Sequence, residues 1–471
     1  MKVAFSATGF WRINNKGKEL NGDLYLNEEE GGIVLYIRIP NKGRIMSYLE
    51  FPLEIPFITG STINGAKMTI VNCSRISTTS RMGTEEVYGY SADFLFNGMN
   101  FNDKEDIKFS KMTVSIPNII QWGDTSNYVR PELETNATSL IDLNIVEPIE
   151  IYSNKNYSVS YYLNFSNPFE LMKEEIVLKQ TPHLIIEVQT TKTIEWFMKI
   201  SNQMRRLIEI AIGIPLSYGS MIVETPKFFY ELENGKKYSR PLKVIHSYKH
   251  TMHNGNSAKR LTKHDYLFSL SELKKGNFSQ WQEVSTIMEP IIELYIDSLY
   301  NQNLSISRHF LNMVQALETY HSRRIAFSLK DYKKRVEKLL ELRPESFREK
   351  DKKFLLDGCR KFITLRSRIA DLLLANYEFY FYIGDFELQK FPSLIADTRN
   401  YYTHYNPKQK DKALKGEELS NAFHILRNIL EFYLLQELGF GEDFVHERIR
   451  ERIKSIANNI SLKNADRENI Q

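Results

Sequence analysis

The sequence predicts an α+β chain: a β-rich N-terminal domain over residues 1–280, followed by an all-α helical bundle over residues 281–471. Two observations carry this. Its 471 residues exceed what one hydrophobic core usually organises. The spacing of apolar residues also changes near residue 280, from alternation with polar ones to the 3.6-residue period of amphipathic helices.

In the first part, Gly31 to Pro40, Glu147 to Phe165 and Ile176 to Val188 mix β-branched and aromatic residues with alternating polar positions, bounded by Gly, Pro and Asn. This is the pattern of a half-buried antiparallel sheet. A helix is expected from Thr193 to Ile212, where Phe197, Ile200, Met204, Leu207, Ile208 and Ala211 share a face before Gly213 and Pro215. Strands are expected again over Met221 to Tyr230 and Pro241 to Tyr248.

In the second part, apolar stripes run through Val284 to Leu299, Leu304 to Phe327, Phe354 to Leu374 and Leu419 to Leu438. Pro290 is expected to kink the first of these. Such stripes bury against one another, which predicts a bundle ending near residue 458.

The composition, 42% hydrophobic and 25% charged, excludes a disordered chain. A net charge of +4 does not announce a nucleic-acid binder, but its distribution is uneven. Arg323 to Arg368 holds 16 Lys and Arg against 7 Asp and Glu, an excess of 16 − 7 = +9. A run of this kind is either a solvated helix face or a surface that attracts phosphate. Cys73 and Cys359 form no CxxC pair, so neither a disulfide framework nor a thiolate zinc site is expected. No apolar run has the length of a signal peptide or a membrane span, and a cytoplasmic protein is expected.

The candidate site is DTRNYYTHYNP, Asp397 to Pro407. Pro407 disfavours a helical Asn406, so a helix starting near Phe386 should end at about Tyr405, with His404 in its last turn. The negative end of the helix dipole stabilises an imidazolium there. Asn400 and His404, four residues apart, share a face, whereas Arg399 lies about 140° round from His404. If the three converge on a phosphodiester, each has a role. Histidine can take a proton from a ribose 2′-hydroxyl or give one to the 5′-leaving oxygen. Arginine can grip the phosphate and stabilise its growing charge. Asparagine can orient substrate or imidazole.

Spacing alone is weak grounds for this reading. An Arg followed by four to six intervening residues and then His arises by chance about 1.6 times in a chain of this composition. It occurs twice, at Arg399–His404 and at Arg240–His246, where Pro241 and a strand-like run exclude a helix.

In its helical setting, RNYYTH closely resembles the catalytic signature of HEPN domains. The arrangement resembles the ApeA type, in which a β-rich domain precedes the HEPN domain. Gly9 to Leu26 (GFWRINNKGKELNGDLYL) and Phe310 to His321 (FLNMVQALETYH) are similar to that family as well. The resemblance implies an anti-phage endoribonuclease acting by abortive infection. It would cut RNA, with tRNA among the candidate targets, by metal-independent 2′-hydroxyl attack. It also implies a catalytic set of Arg399, Asn400 and His404, no cofactor, and a sensing or regulatory N-terminal domain answering an unknown phage-derived trigger. Its active form would be a homodimer or higher homo-oligomer in which two motifs face one cleft. Tyr401, Tyr405 and Lys408 are the expected substrate-binding residues, although core packing is the commoner use of clustered tyrosines. The alternative function is a non-catalytic HEPN-like module that binds RNA, a nucleotide or a partner protein.

Other constellations are weaker. His246, His250, His253 and His264 match no zinc spacing and lack a nearby Cys. Glu318 and His321 form an ExxH pair, but the second pair that a di-metal bundle needs is missing. No metal site is expected. Walker-type phosphate loops and a G-x-S-x-G elbow are absent, which leaves NTPase and serine-hydrolase readings without support.

Overall fold

In the computed structural model, which describes residues 5–27, 32–40, 51–81, 85–130, 141–166, 174–233, 235–247, 265–301, 303–326, 328–341, 362–373 and 383–468, the first six strands close on themselves. They are β1 (Phe5–Ile13), β2 (Leu20–Asn27), β3 (Gly32–Pro40), β4 (Glu54–Thr62), β5 (Lys67–Arg81) and β6 (Glu85–Asn97). Antiparallel pairing runs β6-β3-β2-β1-β4-β5, and β5 returns to β6 to complete a barrel. The interior is filled by residues at alternate positions, among them Trp11, Leu24, Leu35, Ile37, Ile58, Ile70, Tyr88 and Tyr90.

Trp11 is fully buried because two glycines make room for its indole. A Cβ on Gly60, its cross-strand partner, would lie 2.4 Å from the ring, and one on Gly22 would lie 2.9 Å from it. The indole N–H donates to the Gly22 carbonyl at 3.2 Å. Trp11→Ala is expected to cost about 3–5 kcal/mol, measured by chemical denaturation of the full chain.

The sheet continues from β6 through β12 (Leu242–His246), β11 (Met221–Glu224), β7 (Phe109–Ser115), β10 (Gln180–Lys192) and β9 (Tyr157–Phe165) to β8 (Ile149–Ser153). The strand-like stretch from Glu147 to Phe165 thus holds two antiparallel strands. Asn154 turns the chain between them, its Oδ1 accepting from the amides of Asn156 (2.8 Å) and Tyr157 (3.0 Å). The strand expected at Ile176 begins only at Gln180, and that expected from Met221 stops at Glu224.

Helix α1 spans Ile194–Ile212, as the stripe predicts. The chain divides into two compact units: 1–120, 125–202 and 216–258 form one, and 121–124, 203–215 and 259–471 form the other. The division passes through α1. Its second half is tied to the helical unit where the Trp281 indole donates to the Gln203 carbonyl at 2.7 Å.

The helical unit continues with α2 (Lys275–Ile287), α3 (Glu289–Tyr300), α4 (Ile306–Tyr320), α5 (Leu329–Glu341), α6 (Leu365–Leu373), α7 (Phe391–His404), α8 (Gly416–Glu437) and α9 (Glu442–Glu468). Pro290 does not kink one helix; it opens α3 after a break at Met288, where its missing N–H is harmless. The helix expected to reach Phe327 ends at Tyr320 and passes into a π-helical turn, His321–Ile325. Helix α9 runs beyond residue 458 to Glu468. Of the stripe expected over Phe354 to Leu374, only residues 362–373 are described, and they give α6.

In this unit Glu431 of α8 is fully buried, yet neighbouring arginines hold its carboxyl below the ordinary carboxylate range against that burial. It accepts from Arg452 Nε (2.7 Å), Arg427 Nε (2.8 Å) and the Tyr295 hydroxyl (2.6 Å). Among the described residues no helix is long and apolar enough to cross a membrane.

Candidate active site

Helix α7 carries the candidate site, and its sequence explains both ends. It starts at Phe391 rather than Phe386, because Pro392 fits only a first turn. It ends at His404, with Tyr405 in the left-handed region (φ 50°, ψ 36°) and its amide bonded back to the Tyr401 carbonyl. Left-handed backbone at that position reverses the chain and normally favours Gly or Asn. Here it swings the Tyr405 ring back to edge contacts with Tyr401 and Tyr402, at centroid distances of 5.7 and 6.4 Å.

The loop that follows is pinned at its far end. The fully buried Thr398 hydroxyl accepts from the Leu414 amide at 3.0 Å, and the Tyr402 hydroxyl donates to the Leu414 carbonyl at 3.1 Å. A short 3-10 turn, Pro407–Gln409, lies between, capped by Asn406 accepting from the Lys408 amide. Thr398→Val would strand the Leu414 amide without its acceptor. A loss of about 1–3 kcal/mol is expected, read as a lower denaturation midpoint with the helix content unchanged.

Arg399 and Asn400 are brought together. The guanidinium donates from Nη1 to Asn400 Oδ1 at 3.2 Å, which turns it towards the face that Asn400 shares with His404. Its Nη2 faces the Glu318 carboxylate at 3.6 Å. His404 is exposed at the helix end, and no described contact joins it to Arg399 or Asn400 within one chain. Of the expected substrate-binding residues, Tyr401 is half-buried, Tyr405 is 62% exposed and Lys408 is exposed on the 3-10 turn.

The ExxH pair of α4 is divided. Glu318 faces Arg399, while His321 is fully buried with its Nε2 against Asp371 Oδ2 at 2.7 Å. Burial lowers the His321 pKa, against the opposing hydrogen bond and charge of Asp371. Arg335 donates to the same Asp371 oxygen (2.7 Å), and Arg368 Nη1 meets His321 Nδ1 (3.2 Å). Arg324 grips Glu437 with two bonds, at 2.8 and 2.6 Å, and Arg323 donates to the Ile287 carbonyl at 2.9 Å. These four arginines of the basic run therefore serve the fold; residues 342–361, with much of its charge, lie outside the described residues. So do Cys359 and the histidines at 250, 253 and 264. Cys73 is buried in the barrel, which pushes its thiol up and leaves it unreactive. His246 is half-buried beside Tyr218, and burial lowers its pKa.

Sequence reasoning did not find Thr398, Tyr402 and Leu414 as the supports of the site. It met Glu318 only as half of a metal pair.

Two family models match the chain: residues 311–444 fit the Apea-like HEPN domain and residues 6–281 fit ApeA N-terminal domain 1. The helical unit is therefore of the HEPN class. With its β-rich domain matched over more than half of the sequence, the chain belongs to the ApeA family. No curated protein and no solved structure matches it.

Proposed function

We propose that the protein is an anti-phage endoribonuclease that cuts RNA, with tRNA among its candidate targets, without a metal. The observation that carries this is the Arg399 guanidinium on the Asn400 side chain, one turn from His404 at an exposed helix end of a HEPN domain. In the reaction His404 takes the proton of a 2′-hydroxyl, whose oxygen attacks the adjacent phosphorus. Arg399 stabilises the charge that grows on the phosphate oxygens. The bond to the 5′-oxygen breaks, that oxygen takes a proton, and a 2′,3′-cyclic phosphate remains. Tyr401, Tyr405 and Lys408 bind the RNA, and the N-terminal domain restrains the nuclease in the cytoplasm until a phage-derived trigger arrives.

A site shared by two copies is part of this reading, because one motif at one helix end leaves the cleft open on one side. A homodimer would bring the second motif to the open side of the cleft.

The test is incubation with total RNA in EDTA, with and without phage-infected extract. Cleavage that leaves 2′,3′-cyclic or 3′-phosphate ends supports the reading, and EDTA-sensitive cleavage rejects it. The exposed His404 at the helix end also fits a second reading, a HEPN-like module that binds RNA, a nucleotide or a partner without cutting. That reading expects RNA binding with no cleavage under any of these conditions.

A further inference from the structure

An arginine that serves a phosphodiester must be held still, because its long side chain otherwise samples many rotamers. The backbone gives Arg399 little help, since it projects well away from the face of Asn400 and His404. Two contacts correct its direction: Asn400 Oδ1 at 3.2 Å on Nη1, and the Glu318 carboxylate at 3.6 Å from Nη2. Glu318 comes from another helix, the last turn of α4.

That helix end is itself fixed. One turn on, His321 is locked against Asp371 of α6, which Arg335 of α5 also binds. Arg368 of α6 closes the other side of the imidazole, and Glu318 favours the Arg368 charge against its burial. Glu318 therefore faces the Arg399 guanidinium from a helix end anchored by buried polar contacts.

We infer that Glu318 is a positioning residue for Arg399, holding its guanidinium over Asn400 so that it meets the phosphate on the His404 side. This rests on the ribonuclease reading above. A guanidinium has five N–H donors. With one given to Asn400 and one facing Glu318, three remain for phosphate, so the carboxylate orders the arginine without using it up. The preordering lowers the barrier rather than strengthening substrate binding.

The experiment compares Glu318→Ala and Glu318→Asp in the full chain, each also combined with Arg399→Ala. Glu318→Ala is expected to lower kcat by about 10- to 100-fold, the scale of an ångström-level misplacement, with KM and the denaturation midpoint little changed. Glu318→Asp should recover part of the rate, and in the Arg399→Ala background the loss should vanish. Full activity in Glu318→Ala, a rise in activity, or an equal further loss without Arg399 overturns the inference. If the wild-type protein cuts no RNA, the ribonuclease reading falls separately, and the Arg399 Nε–H resonance decides. An ordered signal that Glu318→Ala makes mobile supports positioning; a signal unchanged by the substitution overturns it.

Discussion

His404→Ala is expected to lower RNA cleavage by about 10²–10⁴-fold, the range for losing a general acid–base group. Arg399→Ala should cost about 10²–10³-fold, as removal of a donor to the developing charge does elsewhere. In the proposed reaction both act on one transition state, so the double variant should be barely worse than His404→Ala alone. The measurement is a single-turnover rate on a defined RNA, with folding checked by circular dichroism. Mixing the two single variants adds a test of the shared cleft. If arginine and histidine come from different copies, mixed dimers contain one intact pair and regain activity. If each chain serves itself, the mixture stays as inactive as its parts.

Glu431→Ala is the substitution expected to damage stability most. The carboxylate is fully buried, and its removal leaves Arg427 and Arg452 facing each other without a counter-charge. Breaking a buried pair in this way costs about 3–5 kcal/mol. Burial alone would raise the Glu431 pKa, but Arg452, Arg427 and the Tyr295 hydroxyl outweigh it and hold the carboxyl below its ordinary range. A depressed folded pKa means that the stabilisation is present above the unfolded pKa and is lost as pH falls through the folded one. Denaturation of wild type and variant should therefore differ most near neutral pH and converge in acid. A constant gap down to strongly acidic pH would show that Glu431 stabilises the unit by packing rather than by charge.

The division into a β-rich and a helical part was legible because the apolar period changes, and the end of α7 was legible because Pro407 forbids its continuation. Local chemistry explains the misplaced boundaries. Pro392 and Pro290 each start a helix, which an apolar stripe does not register, and Asn154 turns the chain within a strand-like run. The barrel itself was out of reach: closing β5 onto β6 depends on pairing between strands, and the room for Trp11 on Gly22 and Gly60 is set by cross-strand register. The candidate motif Arg399, Asn400 and His404 stands out in the sequence because its residues lie close together on one helix. The approach of Glu318 to Arg399 could not be read from the sequence, because the two are distant in the chain and the only local signal of Glu318, three residues before His321, pointed towards a metal.

The Leu414 clamp makes the loop after α7 a reporter of its own motion. Most residues from Asn406 to Lys412 are exposed, and the amides of this short turn should exchange with deuterium faster than the Leu414 amide, which is bound to a buried hydroxyl. Its exchange rate therefore measures how often the floor of the site opens. RNA held across the helix end would slow it further, giving a readout of occupancy that needs no cleavage at all.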